Sequence, residues 1–130
     1  MFKSQPFFAD AIFALHPKGC AGFMFEDVTA GAGAVTEEQY NAGYKEVIGI
    51  DKNESAIFST NVSDFTVKYA DAKAKYDSLI TTWNNEEYAR KRITEYPDWG
   101  TQLDYIYHNG IDKWKTDIVD PVKKKYPKPE

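Results

Sequence analysis

The chain has 130 residues, 15% of them aromatic, and a formal charge of −4. That length suits one domain, or one small domain with a helical arm, and it suffices for a core without disulfides or metals. The acidic balance speaks against general nucleic-acid binding, which needs a basic footprint, and the single cysteine, Cys20, leaves no internal disulfide.

The opening segment "MFKSQPFFADAIFALHPKG" has its apolar part broken by Gln5, Pro6 and Asp10, so it reads as an amphipathic helix rather than a signal sequence. Phe8, Ile12 and Leu15 fall at spacings of 4 and 3, which predicts a helix from about Phe7 to Leu15, stopped by "HPKG". "CAGFMFEDV" is strand-like and "TAGAGA" a flexible connection. "VTEEQYNAGYKEV" then reads as a brief helix, with Thr36 as N-cap, Glu37 and Glu38 at its positive end, and Gly43 as a weak point. Two β-leaning runs flank the polar Lys52–Ser55, which predicts a hairpin.

From Phe65 the apolar positions are Phe65, Tyr69, Ala72, Tyr76, Leu79 and Trp83, a heptad seam with Ser63 or Asp64 as its N-cap. The expected helix runs to about Thr94, where Pro97 ends it; at 1.5 Å per residue its roughly 30 residues span about 45 Å. Two partners suit the seam: the chain's own C-terminal helices, or a second copy in a homo-oligomer. Asp98 caps the next helix, with Leu103, Ile106 and Tyr107 as its apolar face and Asn109-Gly110 as its end. Ile111, Trp114, Ile118, Val122 and Tyr126 continue at helical spacing, with Pro121 either kinking the last helix or starting a new turn.

The expected class is therefore α+β: a small mixed α/β unit with a short hairpin over residues 1–64, then a helical region over residues 65–130 made of a long helix and two shorter ones. The two parts differ in charge, with 4 Lys/Arg against 9 Asp/Glu in residues 1–64 and 12 against 11 in residues 65–130. No apolar run approaches the roughly 18–20 residues of a membrane span, so a soluble chain without a membrane partner is expected.

Motifs of chemistry are incomplete. "GAGAVT" at 31–36 lacks the third glycine and parallel repeat of a dinucleotide loop, and reads as a mobile connection. Asp51, Asn53 and Ser55 have calcium-loop spacing, but Ala56 and Val62 stand where Gly and Glu are needed. His16 and His108 each close a predicted helix, where the partial negative charge suits a protonatable ring. Two histidines and one cysteine do not make the usual four-ligand zinc site. Adjacent acidic pairs, Glu37-Glu38 and Glu86-Glu87, point apart on a helix and read as solvated surface. No catalytic, metal or cofactor residues are assigned, and no enzyme is expected.

The segment "YPDWGTQLDYIYHNG", followed by "WKTDIVDPVKKKYPKP", resembles a C-terminal segment of small proteins of tailed bacteriophages, notably those of marine bacteria. The pattern falls on Arg92, Tyr96-Pro97, Gly100, Gln102-Leu103-Asp104, Tyr107-His108, Trp114-Lys115 and Lys125-Tyr126-Pro127. "AIFALHPKG" and "VTEEQY" are similar to the family's opening helix and its second helix start. Trp99 stands where the family often has a smaller aliphatic residue, and the stretch 42–64 is longer than in simpler members. The resemblance implies a tail- or tail-fibre-associated virion structural protein, or an assembly chaperone, assembled in the host cytoplasm and working through contacts with other tail or fibre proteins. A module binding a host protein is a further alternative. Phe65, Tyr69, Tyr76, Trp83, Trp99, Tyr105 and Trp114 are the expected packing and interface residues.

Overall fold

Phe8, Ala11 and Ile12 share one helical face, and helix α1 (Phe8–Leu15) buries all three. In the computed structural model, which describes residues 4–29 and 33–129, the Asp10 carboxylate starts this helix by accepting from the Phe7 N–H at 2.7 Å. A turn over Gly19–Ala21 leads into β1 (Phe23–Phe25). Helix α2 (Glu37–Gly43) opens with a reciprocal cap: the Gln39 N–H donates to Thr36 Oγ1 at 3.2 Å, and the Thr36 N–H donates to Gln39 Oε1 at 2.9 Å. Without a loop the chain enters β2 (Tyr44–Ile50), which lies between β1 and β3 (Ala56–Ser59) and is antiparallel to both.

The hairpin between β2 and β3 turns on Asp51. Its Oδ1 accepts from the Asn53 and Ser55 N–H groups at 2.8 and 3.0 Å, while Glu54 takes the left-handed φ of 65°. The carboxylate with calcium-loop spacing is thus used to close a turn. Residues 31 and 32 of the glycine stretch lie outside the described residues. The strands on either side of that stretch, β1 and β2, pair antiparallel, whereas a dinucleotide loop belongs to a parallel βαβ unit. The fold is α+β, with a three-stranded antiparallel sheet among several helices in chain order.

The expected long helix is shorter at its start and broken in its middle. Residues 62–64 make a tight turn, held by Ser59 Oγ donating to Asp64 Oδ2 at 2.5 Å. Phe65, Thr66 and Val67 then send two side chains into the core and the Thr66 N–H across to Glu46. That amide is spoken for, so no helix starts at Asp64. Helix α3 (Tyr69–Asn85) begins four residues later, its first turn closed by the Ala72 N–H on Lys68 O at 3.0 Å. A break at Glu86 separates it from α4 (Glu87–Glu95). There the Glu86 N–H is shared between the Thr82 and Trp83 carbonyls, and Trp83 O also accepts from Arg90 Nη1 at 2.7 Å.

Contacts group the chain into two compact units, one ending at Thr81 and the other beginning at Thr82. Residues 65–81 belong with the N-terminal unit because their apolar side chains are part of its core. Phe8, Val35, Tyr40, Tyr44, Phe65, Val67, Ala72 and Tyr76 form one buried cluster, with Tyr69, Leu79 and Ile80 against it. Its rings are close: Tyr44–Phe65 centroids are 4.4 Å apart, and Tyr40–Tyr44 and Phe8–Tyr76 are each 5.2 Å apart. Such pairs add about 0.5–1.5 kcal/mol each beyond area burial. The seam from Phe65 to Leu79 therefore packs on the chain's own α1, α2 and sheet.

The C-terminal unit continues with α5 (Trp99–Asn109), which the sequence delimits well. Asp98 Oδ1 accepts from the Thr101 N–H at 2.7 Å, and Gly110 ends the helix with a φ of 85°. Next come α6 (Ile111–Trp114) and, after residues 115–119, α7 (Asp120–Lys125). Pro121 lacks an N–H. The turn before it widens, with the Asp120 N–H reaching back five residues to Lys115 O.

Gly22 is the point where this packing tolerates least. A methyl group there would lie 2.0 Å from Cε1 of the buried His16 ring. Gly22→Ala is expected to cost about 1–3 kcal/mol of stability through overpacking, read as a lower urea midpoint. An unchanged midpoint would contradict this placement of the ring.

Candidate functional site

Two arrangements qualify as sites: a buried polar network in the N-terminal unit and an exposed apolar face in the C-terminal one. The network centres on Glu46, placed on β2 with 4% of its surface exposed. Its Oε1 accepts from Tyr44 Oη at 2.7 Å and from the Thr66 N–H at 2.6 Å, and its Oε2 accepts from His16 Nε2 at 2.7 Å. The Lys18 N–H donates to His16 Nδ1 at 3.1 Å, which leaves the ring proton on Nε2 and so on the Glu46 side. The ring at the end of α1 thus accepts from the following turn and donates to the strand.

Burial pushes the Glu46 carboxyl up, but the Thr66 amide, the Tyr44 phenol and His16 together hold it below its ordinary value of 4.5. Burial and the neighbouring Glu46 charge raise both Tyr40 and Tyr44 well above the usual phenol range. Tyr40 Oη donates to Val67 O at 2.5 Å and Tyr69 Oη to Val35 O at 2.7 Å. A His–Glu–Tyr constellation has the residue types of acid–base catalysis. Here both oxygens of the carboxylate and both nitrogens of the ring are engaged by the protein itself, and the network ties α1, β2 and the segment before α3 together. A depression lined by Leu15, Thr66, Val67, Asp71, Lys75 and Ser78 does not have His16, Tyr44 or Glu46 in its wall.

The C-terminal unit is built differently. Of the described residues from 82 to 129, none is buried. Polar and cation–ring contacts hold its helices. Trp114 Nε1 donates to Gln102 Oε1 at 3.1 Å, Tyr105 Oη donates to Asp117, and Arg92 Nε donates to Tyr126 O at 2.8 Å. Lys125 Nζ pairs with Glu95 at 2.9 Å, and the Arg90 guanidinium lies 3.7 Å from the Trp83 ring centre. Helix α5 thus turns Gln102, Tyr105 and Ile106 inward. Its other face carries Trp99, Leu103 and Tyr107 one turn apart, exposed by 77%, 59% and 84%. Asp104 and His108 flank that face, 3.3 Å apart.

The expected packing and interface residues separate into three groups. Phe65 and Tyr76 are buried and Tyr69 half-buried, all in the N-terminal core. Trp83, Tyr105 and Trp114 are half-buried within the C-terminal unit. Trp99 alone stands out in solvent. Leu103 and Ile106 were expected on one face, yet Ile106 points inward and Leu103 outward. The telling signal is the strict four-residue step from Trp99 to Leu103 to Tyr107, distinct from the inward set. Tyr40, Tyr44 and Glu46 were not singled out from sequence; a lone Glu on a strand-like run looks like ordinary surface.

No protein-family model matches the chain, and neither a curated protein nor a solved structure matches it. Among the described residues no cluster of His, Cys, Asp and Glu is placed to hold a metal ion, and no helix is long and apolar enough to cross a membrane.

The Glu46 carboxyl sits lower folded than unfolded, so it contributes stability above about pH 4.5 that is lost as pH falls through the folded value. Glu46→Gln would turn an amide NH₂ toward donors and cost about 1–3 kcal/mol at neutral pH. Urea denaturation at pH 7 and below pH 4 should show a shallower acid loss in the variant; equal acid losses would contradict the assignment. Trp99→Ala, by contrast, is expected to change the stability of the chain at high dilution, as a single copy, by less than about 0.5 kcal/mol, with a shifted midpoint as the contrary result.

Proposed function

We propose that this chain is a non-enzymatic structural protein of the bacteriophage tail or tail-fibre region, retained in the virion and acting through protein–protein contacts. The observation that carries the reading is the exposed Trp99–Leu103–Tyr107 face of α5. Large apolar side chains in a row on one helix are the chemistry of a contact surface, and the Asp104–His108 pair stands at its flank. This face also lies within the 92–127 segment that resembles the tail-associated family.

An assembly chaperone uses the same kind of surface but leaves before the particle is complete. Mass spectrometry of purified particles of the encoding phage separates the two roles. Peptides of this chain in stoichiometric amount are expected, and Trp99→Ala should deplete them while the free chain remains folded. Abundant chain in infected-cell lysate with none in the particle would replace the virion role by the chaperone role.

A further inference from the structure

Taking up the contact role proposed above, we propose that the occupant of the α5 face is a second copy of this chain, with the two α5 helices antiparallel about a two-fold axis at Leu103. The first support is the lack of buried residues from 82 to 129. A helical unit of this size held by polar contacts has no core of its own, and small units of this kind gain one by oligomerisation.

Area is the second support. Trp99, Leu103 and Tyr107, with Ile111 just past the Gly110 cap, are exposed by 77%, 59%, 84% and 64%. At about 200 Å² for a large aromatic side chain, they offer on the order of 500 Å² per copy. The helix flanks then have to supply only the remainder of the roughly 800 Å² per partner of a standard interface.

Charge fixes the direction. An antiparallel two-fold through Leu103 sets Trp99 level with Tyr107 of the second copy and brings the positive end of each α5 beside the negative end of the other. A parallel pair would instead set like helix ends together. Leu103 would meet its own symmetry mate, whereas the two Trp99 Cα atoms would stand about 12 Å apart, eight residues of helix rise.

Light scattering of the full chain is expected to give twice the 14.8 kDa of one copy, and Leu103→Glu to give a single copy with an unchanged circular dichroism spectrum. In a Cys20→Ser background, Leu103→Cys should oxidise rapidly to a covalent dimer. Trp99→Cys should do so only when mixed with Tyr107→Cys. A single-copy mass at about 0.1 mM, the loose end of specific pairing, would overturn the proposal. So would a dimer that survives Leu103→Glu, or one in which Trp99→Cys alone crosslinks as fast as Leu103→Cys. Particle composition is read separately: a single-copy chain found in virions overturns the pairing alone, and a dimer missing from them overturns the virion role alone.

Discussion

A carboxylate held among phenol rings with 4% of its surface exposed is costly unless every lone pair that matters meets a donor. Glu46 meets three: a backbone amide from the segment before α3, a phenol from its own strand and the imidazole that ends α1. The amide and the imidazole come from parts of the chain 20 residues after and 30 residues before it, so satisfying one side chain fixes the path of three segments. The delayed start of α3, the seating of the His16 ring on Gly22 and the tilted contact of Tyr44 with Phe65 all follow from where that carboxylate sits. Loss of any one donor leaves a buried charge short of a partner, which is why the network acts as a cross-tie rather than as a reactive centre.

The two units divide the physical work. The N-terminal one buries its aromatics and satisfies their hydroxyls internally, through Val35 O, Val67 O and Glu46. The C-terminal one leaves Trp99, Leu103 and Tyr107 in solvent and relies on capped helices and charged pairs. Capping fixes short helices, but it supplies no core. A helix built this way holds its outward residues in a defined row, and that order is what a partner surface can read.

Much of this was legible from local chemistry. Pro97-Asp98 and Asn109-Gly110 delimit α5 because caps are decided within a turn of chain. The Thr36 cap and the Asp51 turn were visible for the same reason. The heptad seam from Phe65 to Trp83 misled, since its spacing shows which residues face inward and says nothing of what they face. Its first member, Phe65, packs from an extended segment, because the Thr66 amide answers to Glu46 20 positions earlier. The break at Glu86 was equally hidden, as it depends on the Arg90 guanidinium reaching the Trp83 carbonyl. Glu46 itself could not be told from a surface Glu without the fold.

The central claim is that α5 presents its apolar row to solvent in the isolated chain and loses it to a partner on assembly. Hydroxyl-radical footprinting of the dilute chain and of the concentrated or particle-bound chain tests this directly, residue by residue. The account predicts that Trp99 and Tyr107 oxidise readily when dilute and become protected on assembly, while Phe8 and Tyr40 stay protected throughout. Protection of Trp99 at every dilution would contradict it, as would equal reactivity of Trp99 in the free and assembled states.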